Sequence, residues 1–238
     1  LFQELEQDYS VKYISDIDLE NADNLKGAEL LIFYKNLLFS STKMKNTILQ
    51  FVENGGDVLL AADEFMNNVM TVNLDSNEVV LSQKAKKNGV IEDRYAESLW
   101  EIEKVYIDEV IGLSYSNGGV AKINNGYTVM RASELLSGVD IQNVPVLGEY
   151  YMGLNGMINK DYFTCNSSSV YSAKVHAYIA TEYNNKETVS GIIEVKVFKT
   201  GGDILSLGTG QWFSQKNYGE SAEIQEVTKR AISYLLDD

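Results

Sequence analysis

The sequence predicts an α/β fold of three layers, in which helices cover both faces of a doubly wound, mostly parallel sheet. Three observations predict it: continuous apolar runs of strand length, an amphipathic helical stripe between two of those runs, and glycine turns where helices end. The chain has 238 residues, 45% of them hydrophobic and 23% charged, which is ordinary globular composition and enough length for one sizeable core. We therefore expect one elaborated domain over residues 1–238.

A strand–helix–strand unit is the clearest pattern. Residues 29–34 form a continuous apolar run, as a strand covered on both faces requires. Residues 40–42 offer N-cap side chains for a helix whose apolar positions repeat at helical spacing, and the glycines of 54–56 end it. Residues 57–62 then predict a second buried strand, parallel to the first through a right-handed crossover.

The start of the chain departs from this pattern. Residues 1–5 indicate the end of a helix, and residues 11–14 a short strand. A doubly wound domain ordinarily opens with a strand that leads into its first helix. We therefore expect that the ordinary first strand is lacking here and that the chain is a segment of a longer protein.

The middle of the chain is more typical of antiparallel structure. Two extended runs surround a turn within residues 69–82, and two more surround Asn124-Asn125-Gly126 within residues 120–130. Residues 92–104 carry apolar side chains at helical spacing. We interpret 69–130 as an insertion in the main sheet or an antiparallel β-hairpin extension of it.

The last third returns to strands and a closing helix. Strand character is expected at residues 144–147, followed by a hairpin of 174–183 and 188–198 and a central strand at 203–207. The closing helix begins after Ser221, with acids early and bases late, as the helix dipole favours.

Composition excludes several classes of partner. The net charge of −14 would repel a nucleic-acid backbone or an anionic membrane surface, and no apolar run approaches the roughly 18 residues of a membrane span. The single cysteine, Cys165, excludes an intrachain disulfide framework. We expect no nucleic-acid partner and no membrane insertion. The compartment stays open between a reducing cytoplasm and an extracytoplasmic or cell-surface location, with a lean toward the latter.

A ligand crevice is expected beyond the carboxyl ends of the parallel strands. Its carboxylates could bind a hard cation or act as acid and base. Trp212 could stack on a sugar or another flat ligand, or equally well pack the last helix against the core. The residues expected to line this crevice come from four strand ends: Tyr34, Lys35 and Asn36; Asp63, Glu64 and Asn67; Glu149 and Tyr150; and Thr209, Gln211 and Trp212.

The catalytic candidates are Asp63, Glu64, Glu149 and His176. For Asp63 and Glu64, a role as helix caps or solvated loop acids is the commoner alternative. His176 is the only histidine and lies in a predicted strand, where a satisfied structural role is the commoner alternative to catalysis. Any Ser–His–Asp triad would have to use it. No cofactor is expected; the alternative is a divalent metal held by Glu149.

Three segments within residues 11–63, "LKGAELLIFYKN", "FVENGG" and "DVLLAAD", resemble class I glutamine-amidotransferase-like domains. The resemblance implies a flavodoxin-like three-layer fold. Within that group the chain is most similar to the C-terminal domain of the N,N-dimethylformamidase large subunit, through Asn54-Gly55-Gly56, Gly148-Glu149 and the Gly208-Thr209 turn before Trp212. The trimerisation domain of family 42 β-galactosidases is similar in the same N-terminal stretch.

Two departures bear on function. The amidotransferase nucleophile is a cysteine directly after the second strand, where this chain has Asp63-Glu64-Phe65. The formamidase-like proteins have a metal-binding tyrosine in a segment that here reads, from residue 36 to 40, "NLLFS"; only Glu149 sits where their carboxylate ligand is expected. The first hypothesis is therefore a non-catalytic or degenerate interaction or assembly domain, whose partners are other domains or subunits of a larger protein. The alternative is an amidase-like hydrolase of C–N bonds that uses strand-end carboxylates on a small-molecule or carbohydrate ligand.

Overall fold

A computed structural model describes twelve stretches of the chain: residues 2–34, 41–61, 70–73, 78–81, 114–115, 128–130, 133–142, 152–153, 156–159, 162–165, 171–183 and 186–237. Its helices are α1 (Phe2–Asp8), α2 (Thr42–Glu53) and α3 (Ala222–Leu236). Its strands, in chain order, are β1 (Leu30–Phe33), β2 (Asp57–Leu60), β3 (Met70–Asn73), β4 (Glu78–Leu81), β5 (Ser114–Tyr115), β6 (Thr128–Val129), β7 (Met152–Gly153), β8 (Gly156–Asn159), β9 (Tyr162–Cys165), β10 (Ser172–Tyr183), β11 (Lys186–Lys196) and β12 (Ile204–Ser206).

The main sheet has the strand order β1-β2-β12-β11-β10-β6. Strands β1, β2 and β12 are parallel, with Phe33 beside Leu60 and Leu60 beside Ser206. Strands β11, β10 and β6 continue the sheet antiparallel. The predicted α/β class is confirmed, but the described sheet is mixed where we expected it to be mostly parallel. The reason is that the long β10–β11 hairpin pairs directly with β12 and adds its antiparallel strands to the same sheet.

Helices α2 and α3 pack against opposite faces of this sheet. Successive residues of a strand point to opposite faces, and β2 shows this directly. Val58 and Leu60 belong to a hydrophobic cluster with α2, whereas Leu59 and Ala61 belong to a second cluster with α3. The continuous apolar sequence of β2 is explained by this double covering.

Helix α2 forms as its sequence predicts. The Ser41 side chain caps its start by accepting a hydrogen bond from the Met44 backbone N–H at 3.1 Å. Met44, Ile48 and Val52 are fully buried along one face. The helix ends at Asn54-Gly55, where Gly55 has a φ of +94°, a conformation that costs glycine little.

The strand predicted at residues 11–14 is wrong. Residues 11–14 belong to none of the strands that the structure describes, and two short 3-10 helices follow, Ile17–Glu20 and Ala22–Leu25. Short polar side chains stabilise this path: Asp18 accepts hydrogen bonds from the backbone and hydroxyl of Ser15, and Asn21 caps the second 3-10 helix. Such local bonds compete with strand pairing.

Several other predicted elements are confirmed. Helix α1 contains Phe2 and Leu5 of the predicted N-terminal helix, and β3 pairs antiparallel with β4 as a hairpin. The hairpin β10–β11, strand β12 and helix α3, which is capped by Ser221, all lie where the sequence predicts them. The helix predicted at 92–104, the strand at 144–147 and most of the 120–130 hairpin lie outside the described residues, and the assignment of 69–130 as an insertion stays a prediction.

Gly208 makes the turn that follows β12. Its φ is +81°, and a Cβ at this position would lie 2.7 Å from the carbonyl oxygen of Gly191 in the neighbouring strand. Gly138 provides a matched comparison, because its φ is +77° but no atom would lie within 4 Å of an added Cβ.

We expect Gly208→Ala to lower the free energy of unfolding by about 3 kcal/mol and Gly138→Ala by about 1 kcal/mol, since both incur the left-handed backbone cost but only the first adds a clash with backbone. Urea unfolding followed by circular dichroism measures both. Equal losses would mean that the Gly208–Gly191 approach does not constrain the loop.

Candidate functional site

His176 lies at the centre of a polar cluster inside the molecule. The register of β10 against β11 shifts between Val175 and Ala177, which places the histidine at a β-bulge, a feature that re-aims side chains. Its side chain is 0% exposed. Nδ1 lies 3.0 Å from the Ser133 hydroxyl oxygen, and Nε2 lies 2.9 Å from Oε2 of Glu194 on β11.

Helix α3 closes this cluster from the other side. The Tyr234 hydroxyl donates to Oε2 of Glu194 at 2.7 Å, and its ring meets the His176 ring edge to face at 5.6 Å. Lys174 donates to the Tyr234 hydroxyl at 3.3 Å. Ser133, Lys174, His176, Glu194 and Tyr234 are called the His176 network below. It joins the turn at 133–138, the β10–β11 hairpin and α3.

The Glu194 carboxylate fixes one hydrogen-bond direction in the network. A carboxylate only accepts, so Nε2 carries the proton that is donated to Glu194. Nδ1 shares a hydrogen bond with the Ser133 hydroxyl, whose oxygen accepts from the Leu136 backbone N–H at 3.1 Å. Both ring nitrogens are therefore engaged by protein groups.

Glu194 supplies the negative charge of the network. Burial raises the pKa of its carboxyl group, but the hydrogen bonds from His176 and Tyr234, together with the charges of His176 and Lys174, outweigh burial and hold the pKa below its ordinary value. A carboxylate whose pKa is lowered by folding stabilises the folded state above its unfolded pKa. That contribution is lost as the pH falls through the folded pKa.

We therefore expect the free energy of unfolding of the wild-type protein to fall as the pH is lowered from about 4.5, the ordinary value, through the lowered pKa of Glu194. Glu194→Gln should make this decline shallower, because glutamine does not titrate. The matched control is Glu226→Gln, which removes an exposed carboxylate paired with Arg230 on α3. Urea unfolding at a series of pH values measures the slopes, and equal slopes for the Glu194 variant and the wild type would contradict the assignment.

The contacts of the network favour a structural use over catalysis. A serine, a histidine and a carboxylate are in contact, as in serine hydrolases, but the carboxylate lies at Nε2 and the serine at Nδ1, the reverse of that arrangement. Ser133 is 6% exposed, and its oxygen already caps the following turn. A substrate would have to displace these contacts to reach the hydroxyl.

The structure does not place Trp212 as the ligand-stacking alternative requires. Its side chain is 0% exposed, so the ring has no open face for a ligand. Nε1 donates to the Thr228 hydroxyl at 2.9 Å, and that hydroxyl donates to the Ile224 carbonyl one turn earlier in α3. The ring thus packs the last helix against the core.

The remaining predicted site residues divide into two groups. Thr209 is fully buried and its hydroxyl accepts from the Gln211 backbone N–H, whereas Gln211 and Tyr34 are exposed. The others lie outside the described residues, so their convergence at the crevice stays a prediction: Lys35, Asn36, Asp63, Glu64, Asn67, Glu149 and Tyr150.

Two negative findings concern only the part of the chain that the structure describes. No group of three or more histidine, cysteine, aspartate or glutamate side chains is placed there to hold a metal ion. No helix among these residues is both long and apolar enough to cross a membrane.

Four members of the His176 network were missed by sequence reasoning. For Glu194 the sequence did contain a signal. Counting back along both strands from the predicted turn at 184–185 places residues 174–176 opposite residues 193–195, among which Glu194 is the only carboxylate. In the structure, Lys174 pairs with Glu194. Ser133 and Tyr234 lie 43 and 58 residues from His176 along the chain, and no local pattern connects them to it.

No family model matches this chain, and no curated protein matches it. Among solved structures it is similar to a chain titled "mmIFT52 N-terminal domain", with a TM-score of 0.57 and 11% sequence identity, over 100% of this chain and 89% of that one. At this identity the similarity concerns the fold alone, and it agrees with the α/β class.

Proposed function

We propose that this chain is a non-catalytic interaction or assembly domain of a larger protein, built on a degenerate amidotransferase-like fold of three α/β layers. The observation that carries the proposal is the state of His176. The only histidine of the chain is fully buried, and its two ring nitrogens are engaged by Ser133 and Glu194. Its contacts stabilise the packing of α3 and leave it no route to a substrate.

Two further observations support the proposal. Trp212, the aromatic candidate for ligand stacking, is used to pack α3. Asp63 follows the strand predicted at residues 57–62, at the position where amidotransferases have their cysteine. The partners would be other domains or subunits of the larger protein, and the solved chain with a similar fold is itself titled as an N-terminal domain.

The test compares wild-type protein with the triple variant Asp63→Asn, Glu64→Gln, Glu149→Gln. We expect neither protein to contain a stoichiometric divalent metal by elemental analysis, and neither to hydrolyse a panel of simple amides above a buffer blank. Hydrolysis by the wild type that the folded triple variant loses would overturn the proposal in favour of an amidase-like enzyme.

A second measurement addresses assembly directly. In the full-length protein, deletion of residues 1–238 should reduce the mass of the native complex by more than the mass of the deleted domain itself. Sedimentation of the native complex measures this. A decrease equal to the deleted mass would mean that the domain holds no partner.

A further inference from the structure

We draw no further inference here: the strongest candidate, the surface groove of about 250 Å³ between the 3-10 helix Ala22–Leu25 and α2, is lined by side chains such as Leu25, Phe51 and Thr47, and nothing in the structure shows what covers it.

Discussion

Replacing Trp212 with alanine is expected to lower the free energy of unfolding by about 3–5 kcal/mol, the range typical of removing a large buried aromatic side chain. Among the residues that the structure describes, Trp212 is the largest fully buried side chain, and it belongs to the hydrophobic cluster that α3 completes. The substitution removes the ring, leaves a cavity in the cluster that also contains Ile224 and Val227, and breaks the hydrogen bond to Thr228. Urea unfolding followed by circular dichroism measures the loss without relying on tryptophan emission.

Two control variants separate the contributions. Trp212→Phe keeps an aromatic ring but removes the N–H donor, so we expect a smaller loss of about 1–2 kcal/mol. The Thr228 hydroxyl would still donate to the Ile224 carbonyl. Tyr171→Ala removes an aromatic side chain that is 57% exposed and should change stability by less than about 0.5 kcal/mol. If Trp212→Ala and Tyr171→Ala had the same effect, the ring would not be part of the core.

The parallel half of the sheet was predictable because its signals are local. An apolar run of four to six residues, a capped amphipathic helix and a glycine stop specify β1, α2 and β2 within some 30 residues of chain. The parallel pairing that brings Phe33 beside Leu60 follows from the strand–helix–strand connection. The β10–β11 hairpin was predictable for the same reason, because its two strands are close together in the sequence.

The order of the strands across the sheet was not predictable in the same way. The apolar run of β12 fits a central strand equally well with parallel or antiparallel neighbours, and nothing in its sequence indicates that β11 pairs with it on one side and β2 on the other. This choice depends on which distant surfaces fit together after the helices have packed. The expectation of a mostly parallel sheet failed at this step.

The candidate site shows a similar division. From its place in a predicted strand, His176 was expected to be either a catalytic residue or a structural residue with satisfied hydrogen bonds. The choice between these roles depends on Ser133 and Tyr234, which come from remote elements. The β-bulge at His176 adds a second difficulty, because a one-residue shift changes the face to which a strand side chain points. The burial of Trp212 likewise depends on α3, which begins ten residues later.

Substitution of His176 distinguishes the two ends of its ring. His176→Asn keeps a polar atom near the position of Nδ1, within reach of Ser133, and loses the donor to Glu194. His176→Gln keeps a donor near the position of Nε2, within reach of Glu194, and loses the hydrogen bond with Ser133. We expect the asparagine variant to lose about 3 kcal/mol and the glutamine variant about 1–2 kcal/mol, since a partly buried carboxylate that loses a donor costs more than a neutral hydroxyl that loses a partner.

Unfolding free energies of the two variants, measured in urea at neutral pH, give the comparison. Equal losses would contradict the assignment of the Glu194 contact as the stronger one. The same two variants also bear on whether the role of His176 is structural or catalytic. If the wild type hydrolysed an amide of the panel named above and both variants lost that activity, His176 would be a general base, because neither substituted amide titrates near neutral pH. A structural His176 gives two proteins that differ in stability, and that difference should shrink when Glu194→Gln is added, since the carboxylate whose donor distinguishes them is then absent.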